Sequence, residues 1–211
     1  LPGGLNAGRT GLTETAARAE GCDVETVVAV VDDKAHYYPS AGSFIVKLTA
    51  DKATRKLLGV QVLGAGAVDK ITDIGVTAIS LGATVDQMAV MDFAYAPPFS
   101  TAIHPFAHSV NILMNKLDGE LETLTPAEFA AGAAEGYEII DCAIEPSLPG
   151  KKYLNLTKVD GEVPGLGRED KLLLVCAKGK RAYLTQNRLK FYGYVNTRVL
   201  EGGTTFNEIE E

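Results

Sequence analysis

The chain has 211 residues and carries 20 lysines and arginines against 27 aspartates and glutamates, a formal charge of −7 that argues against general binding of nucleic acids or anionic membranes. No apolar run approaches the length that crosses a bilayer. Three cysteines are too few and too oddly numbered for a disulfide framework, so we expect a cytoplasmic protein. Because the chain begins with Leu1 rather than methionine, we also expect it to be a fragment of a longer protein.

The first part of the chain predicts one short helix and three strands. Thr13 is a suitable N-cap for the helix, and Gly21 is a suitable residue to end it. The β-branched run "ETVVAVVDD" predicts a strand. Two apolar stretches within residues 43–64, separated by the polar segment Ala50–Lys56, predict a β-hairpin.

Helices follow these strands. Apolar residues recur at helical spacing between residues 67 and 83, where Gly82 ends the pattern, and "TVDQMAVM" predicts a second, short helix. The segment "DFAYAPPFS" predicts a rigid turn, because consecutive prolines fix the backbone and exclude a helix. A longer amphipathic helix is predicted from a cap near Ser100. Strands followed by helices are typical of an α+β domain, which we place at residues 1–118.

A second domain is predicted over residues 119–211. After a polar connector, Thr125 and Pro126 mark the start of a helix. The segments "YEIID", "YLNLTK", "KLLLVC" and "VNTRVL" predict short strands, and "RAYLTQNRLKFYG" predicts a helix before the last of them. Alternating strands and helices indicate a small α/β domain with a parallel sheet.

The segment "VCAKGKR" places Cys176 where a buried strand gives way to a helix. Ligands of open α/β sheets bind beyond the carboxyl ends of the strands, where helix N-termini present their N–H groups. Gly179 allows unusual backbone angles, and Lys178, Lys180 and Arg181 supply positive charge. Such surroundings favour a nucleophilic thiolate and would bind an oxyanion or a persulfide. The alternative is an inert core cysteine, which is common at strand ends.

These residues resemble the rhodanese-type sulfurtransferases. "CAKGKR" resembles their Cys-x-x-Gly-x-Arg loop, "YEIID" their first strand with its Asp141, and "VLEGGTTF" their terminal turn, so the resemblance covers about residues 124–209. It implies that Cys176 carries sulfur as a persulfide and that Arg181 closes the cradle around it. The backbone N–H groups lining the cradle would belong to the substrate-binding loop Ala177, Lys178, Gly179 and Lys180, together with Arg181. The related phosphatases use a loop one residue longer, so phosphate ester hydrolysis is the less favoured chemistry.

Two departures from the rhodanese pattern support a different interpretation. Rhodaneses often continue the first strand with Asp-Val-Arg, whereas this chain has Asp141, Cys142 and Ala143. The usual Gly-His-Ile-x-Gly-Ala segment is shortened to something like "LPGKKYLNL". The altered segment favours a docking module with an inactive rhodanese fold, while the intact cysteine loop opposes that view.

The first domain resembles the dimerisation domain of FAD-dependent pyridine nucleotide-disulfide oxidoreductases over about residues 9–118. "YAPPFS" points to the branch with coenzyme A-disulfide reductases, NADH oxidases and persulfide reductases, in which a C-terminal rhodanese domain also occurs. The resemblance implies a homodimer, and FAD and NAD(P)H in the intact enzyme. We expect neither cofactor in this fragment, because "VLGAGAVDK" lacks both the dinucleotide and the P-loop spacing and predicts a strand-to-helix turn.

The same resemblance suggests two side chains that serve the neighbouring subunit. Tyr95 matches a tyrosine that reaches the partner's redox cysteine, and a phenol there can stabilise a thiolate or deliver a proton. His104, in "AIHP", is similar to the His-Pro of glutathione reductase-type enzymes, whose histidine accepts a proton from the partner's thiol. The alternatives are a half-buried packing tyrosine and a helix-surface histidine. His36, His104 and His108 lack a convincing metal-site pattern, and we expect no metal.

The sequence therefore predicts the C-terminal part of a flavin- and NADH-dependent reductase of disulfides, persulfides or polysulfides. Its rhodanese domain would carry sulfane sulfur on Cys176, exchanged with small donors and thiols such as coenzyme A persulfide. No nucleic acid or membrane partner is expected. The alternative is a non-catalytic module for dimerisation and docking.

Overall fold

The computed structural model describes residues 4–209. Contacts between Cα atoms divide the chain into two compact units, the first ending at Asp118 and the second beginning at Gly119. Each unit has its own sheet. No helix within the described residues has the length and apolar character to cross a membrane.

The first unit is built on a four-stranded antiparallel sheet with the order β1-β4-β3-β2. Its strands are β1 (Asn6–Gly11), β2 (Val24–Asp32), β3 (Ser43–Asp51) and β4 (Leu57–Gly64). The predicted β2 and the β3–β4 hairpin are confirmed. Strand β1 was not predicted, because its residues NAGRTG are mostly exposed and show no apolar alternation. Its position depends on pairing with β4, which is distant in sequence.

The first unit is completed by the helices α1 (Glu14–Ala19), α2 (Val68–Ser80), α3 (Val85–Ala89) and α4 (Pro105–Leu117). The Thr13 hydroxyl accepts a hydrogen bond from the first turn of α1, and Gly21 takes a left-handed conformation just beyond that helix, as predicted. Buried side chains of α2 and α4 pack against the sheet, so the strands and helices share one apolar core. Its members from the two helices include Ile71, Ala78, Phe106, Val110 and Leu113.

Helix α4 begins later than its amphipathic pattern predicts. The expected cap was near Ser100, but the helix starts at Pro105 and His104 occupies the N-cap position. A proline has no N–H to donate and fits only the first helical turn, so Pro105 fixes the start of the helix. Ser100 is buried in the segment before it.

The second unit contains a five-stranded parallel sheet with the order β5-β9-β8-β6-β7. Its strands are β5 (Thr123–Leu124), β6 (Glu138–Asp141), β7 (Lys152–Tyr153), β8 (Leu172–Val175) and β9 (Thr197–Leu200). The parallel sheet was predicted, but β5 lies in the expected polar connector. The predicted strand "YLNLTK" is confined to β7, because the Asn155 side chain accepts a hydrogen bond from the Thr157 N–H and turns the chain into a short 3-10 helix.

Three helices flank this sheet: α5 (Pro126–Ala130), α6 (Lys180–Phe191) and α7 (Gly203–Phe206). Helix α5 starts at the predicted Thr125 cap, where Thr125 and Glu128 form reciprocal hydrogen bonds. Helix α6 is joined to the sheet by the buried Gln186, whose amide donates to the carbonyls of Glu122 and Thr197. That side chain therefore ties α6 to β9 and to the segment that leads into β5.

Candidate functional site

Cys176 directly follows β8, the middle strand of the five, and thus lies at the carboxyl edge of the parallel sheet. All four residues of β8 are buried, and Cys176 itself is 5% exposed. The neighbouring strand β6 ends at Asp141 in register with Val175, so the loops after these two strands start side by side. This edge is where ligands of open α/β sheets bind.

The predicted substrate-binding loop leads from Cys176 into α6. Gly179 is the N-cap of α6 with a left-handed φ of 90°, and no side chain caps the helix there. The first N–H groups of a helix have no intrahelical partner and carry partial positive charge, so this helix start is suited to an anion. Ala177 and Lys180 are exposed, whereas Lys178 is half-buried. The structure thus brings Cys176 and the loop together at one helix end.

The backbone at the start of the loop is hydrogen-bonded to helix α7. The N–H of Thr204 donates to the Cys176 carbonyl at 3.1 Å, and that of Thr205 donates to the Ala177 carbonyl at 3.0 Å. Gly203, with a φ of +51°, lies so close that a Cβ there would be 2.0 Å from the Cys176 carbonyl oxygen. Only glycine fits, and this supporting role was not predicted, although the paired glycines of the terminal turn were the available signal.

Arg181, predicted to close the cradle, is half-buried in the first turn of α6. Its Nε donates to the Cys142 carbonyl oxygen at 3.1 Å, which connects the start of α6 to the loop after β6. Arg181 is therefore adjacent to the candidate site but is engaged by the protein backbone in this structure.

Asp141 organises the segment that departs from the rhodanese pattern. Its buried carboxylate accepts hydrogen bonds from the backbone N–H groups of Ala143 (2.9 Å), Ser147 and Leu148 (2.9 Å), and from the Ser147 hydroxyl. A carboxylate that collects several N–H donors fixes the loop that supplies them. The loop after β6 is thus well defined despite its altered sequence.

Cys142 is a second thiol at this edge, and its position was not predicted. The residue is fully buried, and its sulfur lies 3.6 Å from the Ile140 carbonyl oxygen. Burial raises the pKa of the Cys142 thiol to about 12, and the neighbouring Cys176 opposes its ionisation further. The sequence showed only that a cysteine replaced the usual residue after Asp141.

His104 lies in the first unit and is not a helix-surface residue, because only 4% of it is exposed. Its Nδ1 accepts a hydrogen bond from the Phe106 N–H at 3.2 Å, and its ring stacks on Phe93 at a centroid distance of 4.6 Å. Burial, with a smaller contribution from Lys70, lowers the pKa of His104 to about 4. The ring is therefore neutral near pH 7 and carries its proton on Nε2.

This tautomer changes what His104 can do. The Nε2 atom is buried and has no hydrogen-bond partner among residues 4–209, and His104 helps to line a cavity of about 110 Å³ together with Lys70 and Phe99. An Nε2–H group donates hydrogen bonds, whereas the predicted role required a proton acceptor. In this structure Nε2 is therefore a hydrogen-bond donor with no acceptor among the described residues.

Tyr95 is 57% exposed and lies in the irregular segment between α3 and α4. It is therefore not the half-buried packing residue considered as its alternative. Tyr95 and His104 belong to the first unit and the cysteine loop to the second.

The glycine segment of the first unit connects β4 to α2, as the predicted strand-to-helix turn. A Cβ at Gly66 would meet the side chains of Asp33 and Phe44 at 3.0 Å, so glycine suits the close approach at this point. Within the described residues there is no group of three potential metal ligands.

Comparison with known proteins identifies the first unit. Residues 3–107 match the family model described as the pyridine nucleotide-disulphide oxidoreductase dimerisation domain. The first unit belongs to this dimerisation-domain family. Over 109 residues, 52% of the chain, it is 38% identical to an NAD(P)H sulfur oxidoreductase (CoA-dependent) of Pyrococcus furiosus. It is 37% identical over the same length to an NAD(P)H coenzyme A polysulfide/persulfide reductase of Pyrococcus horikoshii.

Two solved structures of such oxidoreductases extend the match to both units. An NAD-dependent persulfide reductase from A. fulgidus is 32% identical, with a TM-score of 0.85 over 97% of this chain and 37% of the other. The Bacillus anthracis protein CoADR-RHD is 27% identical, with the same TM-score over 96% of this chain and 37% of the other. The predicted rhodanese-like fold of the second unit is thus confirmed. The chain spans 24% of the length of the two Pyrococcus relatives.

Proposed function

We propose that the chain is the C-terminal part of a flavin- and NAD(P)H-dependent reductase of disulfides, persulfides or polysulfides, in which the rhodanese-like domain carries sulfane sulfur on Cys176. The observation that carries this proposal is the position of Cys176, at the carboxyl edge of a parallel sheet and one loop before the uncapped start of α6. The names of the Pyrococcus and A. fulgidus relatives support the same substrate class.

The proposed reaction begins with sulfur uptake by Cys176. The Cys176 thiolate attacks the outer sulfur of a donor such as thiosulfate, a new S–S bond forms, and sulfite leaves with the electron pair of the broken bond. The product carries negative charge on its terminal sulfur. The N–H groups at the start of α6 and the cations of the loop stabilise that charge. A small thiol such as coenzyme A can then accept the sulfur.

Reduction of the transferred sulfur belongs to the rest of the intact enzyme. FAD and NAD(P)H would supply the electrons there, bound by residues outside this chain. The first unit would form a homodimer and present Tyr95 to the neighbouring subunit's redox thiol. His104, held neutral with a proton on Nε2, would stabilise an anion as a hydrogen-bond donor rather than by accepting a proton.

A docking function is the second candidate, and two observations favour it. Cys176 is only 5% exposed, and the Nε of Arg181 is bonded to a backbone carbonyl rather than directed to a ligand. In this alternative the rhodanese-like domain would bind a partner without carrying sulfur.

Sulfur loading distinguishes the two functions. The purified, reduced chain is incubated with thiosulfate or polysulfide and its intact mass is measured beside Cys176→Ser and Cys22→Ser. Sulfur carriage predicts that donor treatment modifies the wild type and Cys22→Ser at Cys176, and leaves Cys176→Ser unchanged. An unmodified wild-type chain with every donor would support docking, as would a modification that persists in Cys176→Ser.

A further inference from the structure

Cys142 and Cys176 are the first residues beyond two neighbouring parallel strands. Asp141 pairs with Val175 at the ends of β6 and β8, and the Cys142 N–H donates to the Val175 carbonyl at 2.7 Å. Neighbouring strands lie about 4.8 Å apart. That spacing falls within the range of about 4.4–6.8 Å that joins the Cα atoms of disulfide-bonded cysteines.

The Cys142 and Cys176 thiols also interact electrostatically. The Cys142 thiol is buried against α6, where it has a hydrogen bond with the Thr185 side chain, and Cys176 immediately precedes the loop into the same helix. An electrostatic interaction with Cys176 opposes ionisation of Cys142. Cys22, the remaining cysteine, lies in the first unit and offers a matched control.

We propose that Cys142 is a resolving thiol that releases sulfur from Cys176 when no external acceptor is bound. The inference rests on the proposed function, because it requires a persulfide on Cys176. The Cys142 sulfur attacks the inner sulfur of that persulfide, an S–S bond forms between Cys142 and Cys176, and the bond to the terminal sulfur breaks. The terminal sulfur leaves as hydrosulfide with the electron pair of that bond and the proton of Cys142.

The step balances without another oxidant. The sulfane sulfur is reduced to hydrosulfide, while the two cysteine sulfurs are oxidised to a disulfide. When a small thiol such as coenzyme A is available again, two equivalents of it reduce the Cys142–Cys176 bond and are oxidised to their own disulfide.

The burial of Cys142 determines when the disulfide forms relative to sulfur transfer. Because Cys142 remains protonated near neutral pH, it is a slow nucleophile, and an ionised external thiol competes well for the persulfide. This difference in ionisation between Cys142 and the external thiol favours transfer of the sulfur to the external thiol first. Disulfide formation follows when the acceptor is exhausted.

The test is a single-turnover experiment on the complete chain. Reduced protein is mixed with thiosulfate in the absence of small thiols, quenched, alkylated and analysed by intact mass and peptide mapping, and free hydrosulfide is measured. The wild type is expected to lose two hydrogens, to yield a linked Cys142–Cys176 peptide and to release hydrosulfide. The Cys142→Ser variant is expected to keep the mass of one added sulfur and to lose hydrosulfide release. The Cys22→Ser variant should behave as the wild type.

Each other outcome counts against the inference in a distinguishable way. A wild type that holds its added sulfur as stably as Cys142→Ser refutes the resolving role and leaves sulfur carriage intact. A disulfide that involves Cys22 refutes it as well. If neither the wild type nor Cys142→Ser reacts, sulfur carriage itself fails. Cys142→Ala serves as the second variant should the buried serine impair folding, and the linked wild-type peptide needs no variant at all.

Discussion

The buried N-cap His104 predicts a specific loss of stability in acid. Its Nδ1 can accept the hydrogen bond from the Phe106 N–H only while Nδ1 is unprotonated. Protonation would replace this hydrogen bond by two N–H groups, of Nδ1 and of Phe106, that point at each other in a buried site. The pKa of the folded ring is about 4, against the usual 6.5. Between these values the unfolded chain binds a proton that the folded chain does not, so the free energy of unfolding falls as the pH is lowered.

The size of the effect follows from the gap between the two pKa values. Each pKa unit corresponds to about 1.4 kcal/mol, so the fall from 6.5 to about 4 corresponds to about 3.5 kcal/mol. The stabilisation is complete above pH 6.5 and is lost progressively down to about pH 4. His104→Asn keeps a side-chain oxygen that caps the helix and removes the titration, so it should lose less stability over this range than the wild type.

Two measurements check this prediction. The first is an NMR titration of the ring protons, in which the His104 resonance is the one absent from His104→Asn while those of His36 and His108 remain. The second is chemical denaturation of the wild type and His104→Asn at neutral pH and near pH 4.5. A His104 ring that titrates near 6.5 would refute the argument. So would equal losses of stability in the two proteins.

Two further predictions concern the cysteine loop. Gly203→Ala would place a Cβ 2.0 Å from the Cys176 carbonyl oxygen. Because this clash adds to the strain of a left-handed alanine, the free energy of unfolding should fall by more than about 2 kcal/mol, about twice the cost of the strain alone. Sulfur loading should also become slower. Gly136 has a φ of +79°, and a Cβ added there would meet no atom of a non-adjacent residue within 4 Å. Gly136→Ala should therefore lower the free energy of unfolding by only about 1 kcal/mol. Equal losses for Gly203→Ala and Gly136→Ala would contradict the argument from close packing. Asp141→Asn should cost about 2–3 kcal/mol, because its amide group cannot accept all the backbone N–H bonds of the carboxylate. Ser147→Ala removes only a hydroxyl donor and should cost about 1 kcal/mol, and a larger loss than for Asp141→Asn would contradict this ranking.

Local signals predicted most of the helices. The starts of α1 and α5 follow from the threonine caps Thr13 and Thr125, whose hydrogen-bond partners lie within three residues. The start of α4 was predicted too early, because apolar periodicity continues through Ser100–His104 while Pro105 decides where the helix can begin. Strand β1 had no local signal at all. It forms because β4, some fifty residues later, offers a free edge, and a pattern within the segment cannot show that.

The position of the cysteine loop between a strand and a helix was predictable, as were the threonine caps, because the residues that define it are close together in the sequence. Cys176, Gly179 and Arg181 are contiguous, and the meaning of a strand–loop–helix junction is set by its own residues. The contacts of Cys142 and Gly203 with this loop depend on which strands are neighbours in the sheet, so the sequence shows the paired glycines of the terminal turn but not what they contact. Because strand order is a property of the whole domain, the sequence shows Cys142 only as a departure from the rhodanese pattern and not as a neighbour of Cys176.

These distant contacts bear on the chemistry proposed for Cys176. The carbonyl of Cys176 is held by the Thr204 N–H, the next carbonyl is held by Thr205, and the loop after β6 is tied to α6 by Arg181. A loop whose acceptors are already bonded to the protein does not have to rearrange when negative charge develops on a bound sulfur. Donors fixed before the reaction stabilise charge at no cost of reorganisation. In the proposed function Gly203, which carries no catalytic group, supports sulfur loading, because a Cβ there would displace the Cys176 carbonyl and the loop that follows it.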